Sequence, residues 1–192
     1  KTTGDTEVIL AAFEEWGVDF TQKLNGMFAI AIWDREEKKL SLFRDRVGIK
    51  PLYYFWDGNT FAFASELKSL KQLLPNLQVN PATVRQYLHL GYAPQEATFY
   101  QNIYKLGAGY YGSMQQSMWE SQPYWKAEDQ IEETVVQNFD QAKQRLKELL
   151  ISSVQYRLIA DVPTGTFLSG GTDSSAVTAI AQHLSDQPIK TF

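Results

Sequence analysis

The sequence predicts a chain of two parts: an α+β first part of layered antiparallel sheets and helices over residues 1–125, then the start of a doubly wound α/β domain over residues 126–192. Three observations predict it. Short aromatic-rich runs bounded by turn residues fill the middle of the chain. Composition shifts to an acidic, glutamine-containing run from Lys126 to Asn138, which reads as a linker. Beyond it a long helix is followed by strand, glycine loop, helix and strand, the order of a βαβ unit.

Val8, Ile9, Ala12, Phe13 and Trp16 mark one face of a helix that begins near Asp5, a candidate cap, and stops at Gly17. A short second helix is expected around Phe20 and Leu24. Met27 to Trp33 is apolar on both faces and predicts a central strand covered on each side. Leu40 to Arg44, Leu52 to Trp56 and Thr60 to Ala64 follow as further strands of a β-meander, the last two joined by the hairpin signal Asp57-Gly58-Asn59. Ser65 to Leu74 reads as a helix with Ser65-Glu66 as cap and first turn. Asn80-Pro81 starts another, closed by Gly91, with Val84, Tyr87 and Leu88 on its apolar face. Strands are then expected at Phe99 to Leu106, Tyr110 to Met114 and Pro123 to Trp125, with Gln115 to Gln122 as a polar connection. Phe139 to about Leu158 is an amphipathic helix carrying Ala142, Leu146, Leu149, Leu150 and Val154. Thr166-Phe167-Leu168 reads as the end of a buried strand, and Ile189 to Phe192 as the last strand.

The 192 residues are 44% hydrophobic and 14% aromatic, enough for a packed core. Net charge is −4, with 18 basic and 22 acidic residues interspersed, which argues against nucleic acid or an anionic membrane as partner. No apolar run has the length of a membrane span and no signal-peptide pattern opens the chain, so a soluble cytoplasmic protein is expected. The absence of cysteine excludes disulfides, thiolate metal sites and a thiol nucleophile within these residues. A start without methionine and an end inside a strand read as part of a longer protein. Oligomeric state is open, a homodimer included.

The chemistry concentrates at Ser169-Gly170-Gly171-Thr172-Asp173-Ser174-Ser175, between the apolar run and a helix whose Val177, Ile180, Ala181 and Leu184 share a face. Adjacent glycines let backbone approach a ligand without a Cβ in the way, and amides at a helix start point at bound anion. Ser169, Ser174 and Ser175 add hydroxyl donors. A Walker loop needs a lysine that is absent here. Asp173 beside phosphate makes sense if Mg²⁺ bridges the two. The alternative is a Ser/Gly turn with Asp173 or Ser174 as helix cap. His89 and His183 stand alone, without a second ligand at metal spacing. The cluster Tyr53, Tyr54, Phe55, Trp56, Phe61 and Phe63 reads as core rather than as a platform for stacking bases.

The loop resembles the SGGxDSS loop of the ATP pyrophosphatases. Several other motifs, in order, resemble the glutamine-dependent asparagine synthetase family: Leu24-Asn25-Gly26-Met27-Phe28-Ala29, Arg44 to Tyr54, Ala64 to Lys68, Ile103-Tyr104-Lys105-Leu106 with Tyr124-Trp125, and Arg157 to Pro163 leading into the loop. The resemblance implies an Ntn-hydrolase-type glutaminase joined to an ATP pyrophosphatase domain. It implies that glutamine hydrolysis supplies ammonia, ATP with Mg²⁺ adenylates aspartate, and ammonia displaces AMP to give asparagine. On it, Leu168, Ser169, Gly170, Gly171, Asp173, Ser174 and Ser175 would bind ATP, and Asp5 would accept from the α-amino group of glutamine while also serving as a helix cap.

The family's cysteine nucleophile has no match in this sequence, nor do its carboxylate-binding arginine and oxyanion donors. This segment by itself is therefore expected to be inactive. Asn25-Gly26 reads as a turn, not an oxyanion pair. Arg44 and Asp45 read as a buried salt bridge, with a catalytic role as the alternative. Two other functions fit the same residues: a β-lactam synthetase-like ligase, and a non-catalytic binding or scaffold remnant.

Overall fold

The computed structural model describes residues 4–94, 96–131 and 138–192, which divide into two compact units, residues 1–131 and 132–192. In the first unit, helix α1 (Asp5–Trp16) runs from Gly4, the actual cap, to Gly17 at φ 55°. Asp5 is therefore the first helical residue and not the cap, and its charge meets the positive end of the helix instead. A 3₁₀ turn, Gly17–Gln22, carries fully buried Phe20.

Strands β1 (Ala29–Asp34), β2 (Lys39–Arg44), β3 (Tyr53–Trp56), β4 (Phe61–Ala64), β5 (Ile103–Lys105), β6 (Tyr110–Gln115) and β7 (Met118–Pro123) form two antiparallel sheets, in the orders β1-β2-β6-β7 and β4-β3-β5. Two expectations fail here. The apolar run before Asp34 is an edge strand, with Trp33 56% exposed, and the central positions belong to β2 and β6. The meander is also broken, because β2 and β3 lie in different sheets. Local apolar pattern reports burial of a run but not which strand will pair with it.

The strand alternation explains the layering. Phe43 turns to one face of β2 and packs on Phe20 and Phe13 under α1, with ring centroids 4.9 and 5.9 Å away. Leu42 turns to the other and clusters with Leu52, Tyr54 and Leu106 between the sheets. On β3, Tyr54 faces that inter-sheet core while Phe55 packs with Ala62, Ile103 and Leu70 of helix α2 (Leu67–Leu73). The result is helix, sheet, sheet, helix, an α+β arrangement.

The polar run after Gln115 is strand, not a connection. Gln116 and Ser117, at φ 50° and 59°, turn the chain from β6 into β7, which supplies Trp119 to the inter-sheet core. The turn lacks the Asn-Gly pair that announces such hairpins, so nothing local signalled it. The expected strand Pro123 to Trp125 reduces to Pro123, the end of β7. Glu66 occupies the cap position of α2 without a side-chain capping bond, and Ser65 lies outside the helix. Helix α3 (Pro81–Leu90) starts as expected, Asn80 accepting from the Ala82 and Thr83 amides, but it buries Thr83 rather than the exposed Leu88.

In the second unit, helix α4 (Phe139–Arg157) is capped by Asn138 and buries Val154. Strand β8 (Gly165–Thr166) pairs in parallel with β9 (Lys190–Thr191), and helix α5 (Thr172–Leu184) connects them. The predicted βαβ unit is thus present. Its first strand is only two residues long and Phe167 is 84% exposed, so the expectation of a buried strand end at Thr166-Phe167-Leu168 fails. Of the expected linker, residues 132–137 lie outside the described residues, and Glu128–Gln130 form a single 3₁₀ turn.

Candidate functional site

The Ser169–Ser175 loop leaves β8 and opens α5. Its entry is fixed by Leu168, whose amide donates to the Phe192 carbonyl at 2.8 Å, while Phe192 donates to Thr166 at 3.0 Å. The Leu168 amide is therefore occupied, and its carbonyl and half-exposed side chain are what it can offer a ligand. Gly170 takes φ 81°, the left-handed conformation that disfavours any Cβ, and a Cβ there would meet open space. Gly171, not Asp173 or Ser174, is the helix cap, with extended backbone and no side-chain cap bond.

The first bond of α5 runs from the Ser175 amide to the Gly171 carbonyl at 3.1 Å. The amides of Thr172, Asp173 and Ser174 precede it and have no intrahelical acceptor. The Ser169 and Ser174 hydroxyls lie 3.0 Å apart, and Ser174 also donates to the Gly171 carbonyl at 3.1 Å. A Cβ on Gly171 would stand 3.7 Å from the Ser169 hydroxyl and 3.9 Å from that of Ser174, in ordinary contact with both at the mouth of the loop. The three amides without an intrahelical acceptor are the N-terminus of α5, a start that suits an oxyanion, and the two hydroxyls beside it are held by their bonds to each other and to the Gly171 carbonyl. Thr178 ties α5 to β8 by a 3.0 Å bond to Thr166.

The structure thus brings Ser169, Gly170, Gly171, Asp173 and Ser174 together; Ser175 commits its amide to the helix and keeps its exposed side chain free. Among the described residues no group of three or more His, Cys, Asp or Glu side chains is placed to hold a metal ion. Asp173 is the acid in the first turn of α5. A cavity of about 620 Å³, lined by Val154, Arg157, Thr166, Phe167, Val177 and Ala181, adjoins the loop's entry. Sequence reasoning missed it because its walls come from three separate elements.

In the first unit Asp5 stands exposed in the first turn of α1, next to the Gly4 cap. None of the other site residues is in this unit. Arg44 and Asp45, expected as an ion pair, instead each bind backbone. Arg44 Nε donates to the Lys50 carbonyl at 2.8 Å, Nη1 to Leu106 at 2.6 Å and Nη2 to Gly48 at 2.7 Å. Asp45, 1% exposed, accepts from the Ile49 and Lys50 amides at 2.9 Å each, and its carbonyl accepts from Gly48 and Gly109. Burial lowers the Arg44 pKa from its ordinary value, and the nearby Asp45 carboxylate opposes that shift. The Tyr124 hydroxyl donates to the Arg44 carbonyl at 2.8 Å, and burial pushes its pKa up to about 12. The pair is a latch that holds the 46–51 loop, and no reacting chemistry is placed there.

A family model for a glutamine amidotransferase domain matches residues 1–125, and one for asparagine synthase matches residues 145–192. A protein of Methanocaldococcus jannaschii named putative asparagine synthetase [glutamine-hydrolyzing] 2 is 36% identical over 193 residues, covering 97% of this chain and 36% of the relative. Asparagine synthetase [glutamine-hydrolyzing] 3 of Bacillus subtilis is 35% identical, with 94% of this chain and 29% of the relative covered. A Gibberella zeae protein named amidase chry2 is 34% identical over 97% of this chain and 28% of its own length. The chain spans about a third of the length of these relatives.

Proposed function

Because the chain belongs to the glutamine-hydrolysing asparagine synthetase family, we propose that its Ser169–Ser175 loop holds the phosphates of ATP for an adenylating, amide-forming ligase. The observation that supports this reading is the mouth at Gly171, where the three amides of the first turn of α5 lack intrahelical acceptors and the Ser169 and Ser174 hydroxyls lie beside the cap. In the full reaction the side-chain carboxylate of aspartate attacks the α-phosphorus of ATP and pyrophosphate leaves. Ammonia then attacks the activated acyl carbon and AMP departs, leaving asparagine. The loop's part is electrostatic. The amides of Thr172, Asp173 and Ser174 meet the charge that builds on the departing pyrophosphate, at the positive end of α5.

Asp173 would be the carboxylate of this loop that holds Mg²⁺, an ion that usually binds through one or two carboxylates together with substrate phosphates and water. It would supply charge neutralisation. In this reading residues 1–125 are the glutamine amidotransferase domain, with an Ntn-hydrolase-type fold that accords with the helix, sheet, sheet, helix layering. Residues 126–192 begin the ATP pyrophosphatase domain. Asp5 accepts from the α-amino group of glutamine, being exposed and outside the cap position of α1.

Equilibrium dialysis with ATP and Mg²⁺ tests the phosphate assignment. Gly171→Val should abolish retention and Ser169→Ala should weaken it several-fold, with the unfolding midpoint of the first unit unchanged. Equal ATP retention by the parent and Gly171→Val would remove the loop from the phosphate site.

A further inference from the structure

We propose that Asn25-Gly26 is a site of spontaneous, self-catalysed modification, at which Asn25 converts through a cyclic imide to a mixture of aspartate and isoaspartate. Four observations meet there. The sequence contains a single Asn-Gly step. Both residues are exposed, in the bend between the 3₁₀ turn and β1. Neither the Asn25 side chain nor the Gly26 amide makes a hydrogen bond with any other described residue. A Cβ at Gly26 would find nothing within 4 Å, so no other part of the chain crowds this step.

The chemistry balances without an outside reagent other than water. The Gly26 nitrogen bonds to the Asn25 side-chain carbonyl carbon, the carbon–nitrogen bond of the side-chain amide breaks, and ammonia leaves with the proton from Gly26. Water then opens the five-membered imide at either carbonyl. One opening gives aspartate. The other routes the main chain through the side-chain carbon and adds a methylene to the backbone. Glycine is the residue that least hinders the first step, since no Cβ blocks the nitrogen's approach.

The other asparagines and the one Asp-Gly step lack this combination. Asn102 precedes the β-branched and buried Ile103. The Asn80 and Asn138 side chains are engaged as helix caps. Asp57-Gly58 has the right sequence, but Asp57 Oδ1 accepts from the Asn59 and Thr60 amides at 2.9 and 2.7 Å, which holds the carboxylate away from its neighbour's nitrogen. Those bonds also lower its pKa and keep it in the ionised, unreactive form.

The modification has a structural consequence. Phe28, close along the chain, accepts a 3.0 Å bond from the Asp45 amide and packs in the core of Phe20, Ile32 and Phe43. An extra backbone methylene just before it shifts the entry of β1.

The test is peptide mapping by mass spectrometry after the full chain has aged in mildly alkaline buffer at body temperature. A gain of about one dalton should accumulate on the Asn25 peptide alone, with isoaspartate in excess. Gly26→Ala, which has space for its methyl, should keep the parent's unfolding midpoint and slow the gain by roughly tenfold. Asn25→Gln should suppress it. The proposal fails if Asn25 stays intact, if another asparagine converts as fast, or if Gly26→Ala ages at the parent's rate.

Discussion

Replacing Arg44 tests the latch that stands where an ion pair was expected. Arg44→Ala removes donors from three carbonyls, at Lys50, Leu106 and Gly48, of which the Leu106 and Gly48 bonds are partly buried. A charge-assisted bond contributes about 1.5–3 kcal/mol when partly buried, and the exposed Lys50 bond much less, so the loss comes to roughly 3–4 kcal/mol. Arg44→Lys keeps the charge but can satisfy only part of the fork, for a loss of about 2 kcal/mol. All five tryptophans, Trp16, Trp33, Trp56, Trp119 and Trp125, lie in the first unit, so tryptophan fluorescence during urea unfolding reports that unit alone. At a slope of about 2 kcal/mol per molar urea, the Ala midpoint should fall by roughly 1.5–2 M and the Lys midpoint by roughly 1 M. An Ala midpoint within about 0.3 M of the parent's would refute the latch. So would a Lys variant as damaged as the Ala one, since the fork and not the charge is held responsible.

Three further outcomes follow from the same geometry. Gly112→Ala would drive a Cβ into the Trp119 ring, so it should lower the stability of the first unit by about 2–3 kcal/mol, read from the same urea curve. Tyr124→Phe should cost about 1 kcal/mol at neutral pH. Because folding raises the Tyr124 pKa to about 12, the advantage it confers is whole below the ordinary tyrosine range near 10 and should shrink as pH rises toward 12. A parent-minus-variant difference that stays flat across that window would contradict the assignment. Asp5→Asn should change the stability of the first unit by less than about 1 kcal/mol, because Gly4 and not Asp5 caps α1. In a chain of the relatives' length, it should instead raise the KM for glutamine, measured by ammonia release.

What the sequence revealed depended on how local the cause was. Helix limits at Gly17, Asn80 and Gly91 were legible because a cap or a positive-φ glycine acts within one turn. The loop at Gly170-Gly171 was legible for the same reason. Sheet membership was not: Leu42 and Tyr54 meet across two sheets, and neither residue's neighbours say which strands will pair. The β6–β7 turn escaped because Gln116 and Ser117 adopt positive φ without the residue types that favour it, held there by the strands they join. Arg44 and Asp45 invited pairing by proximity in sequence, whereas unpaired carbonyls and amides of the 46–51 loop had the stronger claim on both. At the loop, residue identities pointed to phosphate, but only the structure assigned the cap to Gly171 and tied the Leu168 amide to Phe192.

In the proposed reaction the Gly171 mouth grips the pyrophosphate end of ATP while the α-phosphorus is attacked. Isotope exchange between pyrophosphate and ATP measures that step without needing ammonia. A chain of the relatives' length carrying this sequence should show exchange that requires both Mg²⁺ and the carboxylate substrate. Gly171→Val should lose it while keeping the first unit's unfolding midpoint. Exchange that survives Gly171→Val, or release of phosphate and ADP in place of pyrophosphate and AMP, would contradict the account.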